Sequence, residues 1–561
     1  MAIIEQATTP YTDQRPGTSG LRQTVARFQE PHYLANFVQA IFDTCTELGG
    51  GTLVLGGDGR YFSDTAIDTI LRMAAANGVD RVLVGRGGLF STPAVSAAIR
   101  RRGAAGGILL TASHNPGGPE GDFGVKYNVA NGGPAPEPVT EAVFKRSKEL
   151  QRYWIAQGEA GVDLSREHDT EVAGMPVSVI DPVADYRALM AELFDFDRLR
   201  ELLQSGSFRM VFDAMHAVTG PYAKSILEDE LGAPAGTVIR ADPRPDFGGG
   251  HPDPNLVHAR ELVARMDGDD PPDLGAASDG DGDRNMILGR GFFVNPSDSL
   301  AVIADHLEGI PGYRGRMGGV ARSMPTSRAA DRVAAAKGWA AYETPTGWKF
   351  FGNLLDADLV QLCGEESFGT SSDHVREKDG LWAVLAWLSI LADRRESVAT
   401  VVRDHWSRYG RDFYTRHDYE GLTRDQGERI VDTLRRKLDD LPGTRTEAGL
   451  VVADAGEFAY TDPVDGHTSR QQGIRIFFTD GGRAVFRLSG TGTSGATLRI
   501  YLERWEGDPL RHNDDLQSTL ADLASAAREV AGRDRPRTSG RGDRHHRDVA
   551  AQPGGLKPPP T

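Results

Sequence analysis

The sequence predicts an α/β protein: three similar α/β domains with mixed sheets, followed by a smaller C-terminal α+β domain. Three observations point to it. Short β-rich runs alternate with amphipathic stretches in "GTLVLGGDGR", "TAIDTILRMAAANG", "RVLVGRGG" and "TPAVSAAIRRRGAAGGILLTASHNP", the βαβ rhythm of a sheet covered by helices. The rhythm recurs around "FRMVFDAMHAVTGPYAKSILEDELG", "GGVARSMPTSRAADRVAAAKG" and "LVQLCGEESFG", the last running into the apolar helix "LWAVLAWLSILADRR". After about residue 408 it gives way to "ERIVDTLRRKLDDL" and the strand-like "GIRIFFTDGGRAVFRLSGTGTSGATLRIYLER". Linkers are expected near Asp181, Asn295 and Tyr409, giving domains at 1–180, 181–294, 295–408 and 409–532. Residues 533–561, rich in Pro, Gly, Arg and His, bury too little apolar surface to order themselves and are expected to form a flexible basic tail.

Composition narrows the function. The 561 residues carry 63 Lys and Arg against 79 Asp and Glu, a formal charge of −16. The tail alone holds seven basic residues against three Asp, or +4, so the body carries −20. Nonspecific binding to nucleic acid or to anionic membrane needs clustered positive charge and is not expected. Two cysteines, Cys45 and Cys363, make neither a disulfide framework nor a thiolate metal site. The N-terminus has no secretory pattern and the longest apolar run, Leu381 to Ala392, is too short to span a bilayer. A cytoplasmic protein is expected.

Four segments carry chemistry. In "SDGDGDRNM", Asp279, Asp281 and Asp283 alternate with glycines that let the backbone aim three hard oxygens at one point, a pattern for Mg²⁺. An EF-hand reading fails because its twelfth position would be Arg290. A solvated acidic turn is the alternative, but the adjoining Arg284 fits a phosphate beside the metal better. "TASHNPGGPEGDFGVKYN" follows the apolar run "GGILL" and offers Ser113 as a nucleophile beside His114; a turn serine beside a surface histidine is the competing reading. No G-x-S-x-G elbow surrounds it, which disfavours a serine hydrolase.

In "FRLSGTGTSGATLRIYLE", Ser489, Thr491, Thr493 and Ser494 sit among glycines and are flanked by Arg487 and Arg499. That is a phosphate cradle lacking the Walker lysine, or else a flexible turn between strands. "CGEESFG" places Glu365 and Ser367 two residues apart, on one side of an extended backbone, as acceptors for sugar hydroxyls. Weaker signals are "SSDHVREKDG", with His374, Arg376 and Lys378; "RPGTSGLR", with Thr18, Ser19 and Arg22; and "TPTGWKFFGN", with a glycine turn beside Trp348 and Lys349.

In this order and spacing, from about residue 10 to 532, these segments resemble the α-D-phosphohexomutases, and among them the eukaryotic-type phosphoglucomutase branch. The resemblance implies four domains around a central cleft and interconversion of glucose 1-phosphate and glucose 6-phosphate through a phosphoserine and a glucose 1,6-bisphosphate intermediate, which also acts as activator. It implies that Ser113 carries the phosphoryl group and that one Mg²⁺ is held by Asp279, Asp281, Asp283 and an oxygen of the phosphoserine. Glu365 and Ser367, with Thr346 and Gly347, are the implied sugar ligands. Arg487, Ser489, Thr491 and Arg499 are the implied grip on the phosphate that is not reacting. Arg22, His114, Lys126, Arg284, His374 and Lys378 are expected at the reacting end, with Thr18, Ser19 and Asp283 also toward substrate. Lys126, Lys378 and His114 remain open as the general base. The implied partners are small sugar phosphates only, and the implied assembly is a monomer or weak dimer. Two alternatives stand: a noncatalytic scaffold of the same fold, and a mutase preferring another sugar phosphate such as mannose phosphate.

Overall fold

The computed structural model describes residues 1–17, 19–489 and 496–532, together with the backbone of 546–548. Thr18 and residues 490–495, which include Thr491, lie outside the described residues, as does the rest of the basic tail.

Each of the first three domains contains the same four-stranded unit. The first strand lies between the second and the third, both parallel to it, and the fourth runs antiparallel to the third. In the first domain the strands are Thr52–Gly57, Arg81–Leu89, Gly106–Leu110 and Asp122–Val129. In the second they are Met210–Asp213, Val238–Ile239, Leu274–Ser278 and Asn285–Gly289. In the third they are Gly319–Ser323, Ala340–Thr344, Leu362–Glu365 and Gly369–Ser372. The central strands are buried along nearly their whole length, which is why "TLVLGG" and "GGILL" read as continuous apolar runs. The sheets are therefore mixed, as the sequence predicts.

Local signals place the helices. Ser91 accepts a hydrogen bond from the backbone N–H of Ala94, Pro93 occupies the first turn, and Gly103 ends the helix Thr92–Arg102 in the left-handed conformation. The helix Gly380–Arg394 is apolar on nearly every face because it runs through the core, with Asp379 capping its first turn.

One continuous apolar cluster runs through the first three domains, from Val54 through Phe212 and Leu300 to Trp387. The fourth domain has its own core, around Phe413, Ile476, Leu502 and Leu523. Its sheet is antiparallel, in the order Val452–Glu457, Ile474–Phe478, Arg483–Ser489, Ala496–Glu506, Arg411–Leu422, and the helices Arg424–Arg435 and Leu516–Val530 pack on it. The backbone of 546–548 pairs with the edge strand Arg411–Leu422. Polar contacts join this domain to the third: Arg483 donates to the carbonyls of Met324 and Thr326, and Tyr414 to that of Pro325.

Candidate active site

The repeated unit explains where the motifs lie. In all three domains the segment between the third strand and the antiparallel fourth carries a motif: Ser113 between 110 and 122, the three aspartates between 278 and 285, and Ser367 between 365 and 369, with Glu365 ending the strand before it. Three equivalent loops thus converge, each supplying a different chemical group.

Ser113 is 1% exposed and has a φ of +53°, a left-handed conformation uncommon for a side chain other than glycine. Its N–H donates to Thr111 Oγ1 at 2.7 Å and its carbonyl accepts from Arg60 Nη2 at 2.9 Å. Its Oγ donates to Asp279 Oδ2 at 2.8 Å and lies 3.4 Å from His114 Nδ1. The two loops touch so closely that a Cβ at Gly280 would fall 2.3 Å from the Ser113 carbonyl oxygen, so only glycine fits there.

The three aspartates each have a ligand oxygen within 4.8 Å of the others, and all three residues are buried. Asp279 Oδ1 is occupied by the N–H groups of Asp283 and Arg284, Asp281 Oδ2 by Thr92, and Asp283 Oδ2 by Lys378 at 2.9 Å. Asp281 Oδ1 and Asp283 Oδ1 are buried with no hydrogen-bond partner. Orphaned anionic oxygens in a dry site are costly unless a cation pairs with them. Burial, reinforced by Asp281 and Asp283, pushes the Asp279 carboxyl well above its usual range. The donor set, all hard oxygen, fits Mg²⁺.

Cations lie against the same cluster: Arg284 Nε is 3.9 Å from Asp279 Oδ2 and 3.8 Å from Asp283 Oδ1. Arg22 and Arg284 each leave a buried Nε without a hydrogen-bond partner. Burial, followed by the nearby charges of Arg284, Arg22, Arg499 and Lys378, holds His114 well below the usual imidazole range, so it is neutral at pH 7. In the fourth domain Arg487 and Arg499 are directly opposed across two antiparallel strands. Like charges in that register repel, and an anion between them removes the repulsion.

The comparisons with known proteins agree with this geometry. Family models match most of the chain: phosphoglucomutase/phosphomannomutase α/β/α domain I over 13–154, domain II over 184–291, domain III over 295–409, and the phosphoglucomutase-1 C-terminal domain over 411–537. The chain belongs to the phosphoglucomutase/phosphomannomutase family. A phosphoglucomutase of Rhizobium radiobacter is 58% identical over 94% of this chain and 96% of its own. Human phosphoglucomutase-1 is 51% identical over 94% of this chain and 97% of its own. The open form of the Paramecium exocytosis-sensitive phosphoprotein parafusin, itself described as a phosphoglucomutase, superposes with a TM-score of 0.87 at 46% identity, covering 96% of this chain and 99% of that one.

Within this phosphohexomutase, the predicted sugar ligands Glu365 and Gly347 meet. Glu365 Oε1 accepts the N–H of Gly347 at 2.8 Å, and Thr346 Oγ1 beside it is buried with no partner, leaving a hydroxyl for a ligand. Burial raises the Glu365 carboxyl above its usual value, with Lys378 opposing. Ser367 and Ser19 are half-buried, and Ser489 ends the strand that carries Arg487. His374 is the correction. It does not line the reacting end: its side chain is 1% exposed, with Nε2 on Asp379 and Nδ1 on Ser372, so no nitrogen is left for a ligand.

Several residues of the site are not apparent from sequence. Glu377 pairs with Lys126 and accepts from Asn128. Arg60, 1% exposed, ties the Ser113 carbonyl to Asp58 and to the carbonyl of Asp122, under the ring of Phe247. The available signal for the latter is "GGDGR", an acid and a base placed directly after a buried parallel strand.

Proposed function

We infer that the chain is a phosphoglucomutase, an isomerase that interconverts glucose 1-phosphate and glucose 6-phosphate by intramolecular phosphotransfer. The observation that carries this is the Ser113 hydroxyl, hydrogen-bonded to a buried three-carboxylate cluster beside which Arg22 and Arg284 each keep a buried Nε–H without a hydrogen-bond partner.

In the forward half-reaction the phosphoryl group on Ser113 Oγ passes to the free hydroxyl of the bound sugar phosphate. The Oγ–P bond breaks, the new O–P bond forms, and the hydroxyl proton leaves to a base. The product, glucose 1,6-bisphosphate, turns end for end, and its other phosphoryl group returns to Ser113 as the proton is given back. Asp279, Asp281 and Asp283 would hold one Mg²⁺, which supplies neutralisation of charge on the transferring group when bound. Arg22 and Arg284 neutralise the same group with their guanidinium donors. Burial lowers the Lys378 ammonium, but Asp283 outweighs it and raises the group above its usual value, which suits a fixed positive charge. Lys126, buried against Glu377, and the neutral His114, 3.4 Å from Ser113 Oγ, are left to exchange the proton.

Glu365, Ser367, Thr346 and Gly347 accept the sugar in either orientation, because both poses present hydroxyls. Arg487, Ser489, Thr491 and Arg499 grip whichever phosphate is not reacting. The enzyme works on free sugar phosphates in the cytoplasm, and among the described residues no helix is long and apolar enough to cross a membrane. The decisive assay supplies glucose 1-phosphate, Mg²⁺ and a trace of glucose 1,6-bisphosphate, alongside mannose 1-phosphate. Glucose 6-phosphate formation that requires the bisphosphate is expected, with a lower kcat/KM for mannose. No turnover with either sugar would refute the reading.

A further inference from the structure

The segment 372–380 is where the first three domains meet. Arg376 N–H donates to Ser96 Oγ, and Glu377 reaches Asn128 and Lys126, all three in the first domain. Lys378 reaches Asp283 at 2.9 Å and the Gly380 N–H donates to the Gly282 carbonyl, both in the second. Two neighbouring residues of one short loop therefore set both the Lys126–Glu377 pair and the Lys378–Asp283 pair.

His374 and Asp379 close that loop. Their side chains meet at 2.9 Å across the five-residue span and are 1% and 0% exposed. The bond belongs to a chain whose direction is fixed at both ends. Trp382 Nε1–H can only donate and does so to Tyr313 Oη at 2.8 Å; the Tyr313 hydroxyl then donates to Ser372 Oγ, and the Ser372 hydroxyl to His374 Nδ1 at 2.7 Å. Asp379, as carboxylate, can only accept, and it takes His374 Nε2–H together with the Tyr186 hydroxyl at 2.7 Å. The imidazole is thereby locked in one tautomer and one orientation, stacked on the Trp382 ring.

We propose that His374 is a positioning residue of the mutase reaction: its bond to Asp379 clasps the loop and holds Glu377 and Lys378 in register with Lys126 and Asp283. The clasp touches neither sugar nor phosphate and acts only through the residues it brackets. The inference rests on the mutase reading.

The two amide variants test it, because each preserves side-chain bulk and copies one ring nitrogen. Gln reaches as far as Nε2 and can donate to Asp379; Asn reaches only as far as Nδ1, toward Ser372. His374→Ala and His374→Asn are expected to lower kcat for glucose 1-phosphate about 10–100-fold with KM changed less than about threefold. His374→Gln is expected to recover most of the loss. Hydrogen exchange at the amides of 375–379 should follow the same order, faster in Asn and Ala and close to wild type in Gln. Exchange needs no substrate, so it reads the clasp even if wild-type turnover is absent, which is the outcome that would instead overturn the mutase reading. Equal behaviour of the Gln and Asn variants overturns the clasp, as does a His374→Ala enzyme with unchanged kcat and exchange. The amide pair carries the test whether or not the alanine variant folds.

Discussion

Asp279 in the second domain and Glu503 in the fourth are both buried carboxylates, and their surroundings drive them in opposite directions. Burial pushes Asp279 up, and Asp281 and Asp283 push it further. Burial also works against ionised Glu503, but Arg483, Arg328 and Arg322 outweigh it and bring the group down to about 2. In the first cluster the like charges of Asp281 and Asp283 prevail at Asp279; in the second the guanidinium groups of Arg328 and Arg483 prevail at Glu503, across the joint between the third and fourth domains. Burial alone does not distinguish a functional acid from a structural one; the sign of its neighbours does.

The contrast yields a graded set of outcomes. Ser113→Ala removes the phosphoryl carrier next to the first cluster, and turnover in the coupled assay should fall at least about 10³-fold, as for other lost nucleophiles. A lesser effect on rate but a large one on stability is expected at the joint. Glu503→Gln removes the carboxylate that pairs with Arg328 and the nearer of the two that pair with Arg483, and should cost about 3–5 kcal/mol in denaturant unfolding of the fourth domain. Because Glu503 lies below its unfolded value, its stabilisation is complete above that value and disappears as pH falls through its folded value. Acid unfolding between about pH 4.5 and pH 2 should therefore be shallower in the Gln variant.

Asp279→Asn relieves like-charge repulsion at a carboxyl pushed well above its usual range, so the sign reverses: without metal the variant should be more stable than wild type by about 1 kcal/mol, while activity at limiting Mg²⁺ drops about 10–100-fold. A variant with lower metal-free stability would place both clusters in one class. The smallest effect is expected at the phosphate grip, where Arg499→Ala should raise KM about tenfold and change kcat less, since it touches the phosphate that is not transferred.

Much of this was legible before the fold. Asp279, Asp281 and Asp283, Ser113 and Glu365 declare themselves because close spacing puts their chemistry in one stretch of chain. Asp58, Arg60, Thr92 and Glu377 do not, because each acts on a residue far away in sequence: Thr92 and its partner Asp281 are 189 positions apart, Glu377 and its partner Asn128 249 apart. His374 is the opposite case, since its partners are close in sequence and only their folded arrangement encloses it. A histidine in a loop crowded with charges looks like a ligand, and only the three-dimensional neighbours Ser372, Asp379 and Trp382 show it enclosed. The four-stranded unit was visible as a rhythm, but its strand order was not, since nothing local encodes which strand lies in the middle.

That shared strand order has a consequence for how the protein can change. A chain built from three copies of one unit, each opening at the same topological point, places its reactive groups by the way the copies dock and not by the reach of any loop. No copy owns a fraction of the activity that could be measured by isolating it. Divergence in substrate can proceed by rewriting one loop while the other two stay fixed, but a shift of docking by an ångström touches all three chemistries at once. The contacts between the copies therefore belong to the catalytic machinery as much as the loops do.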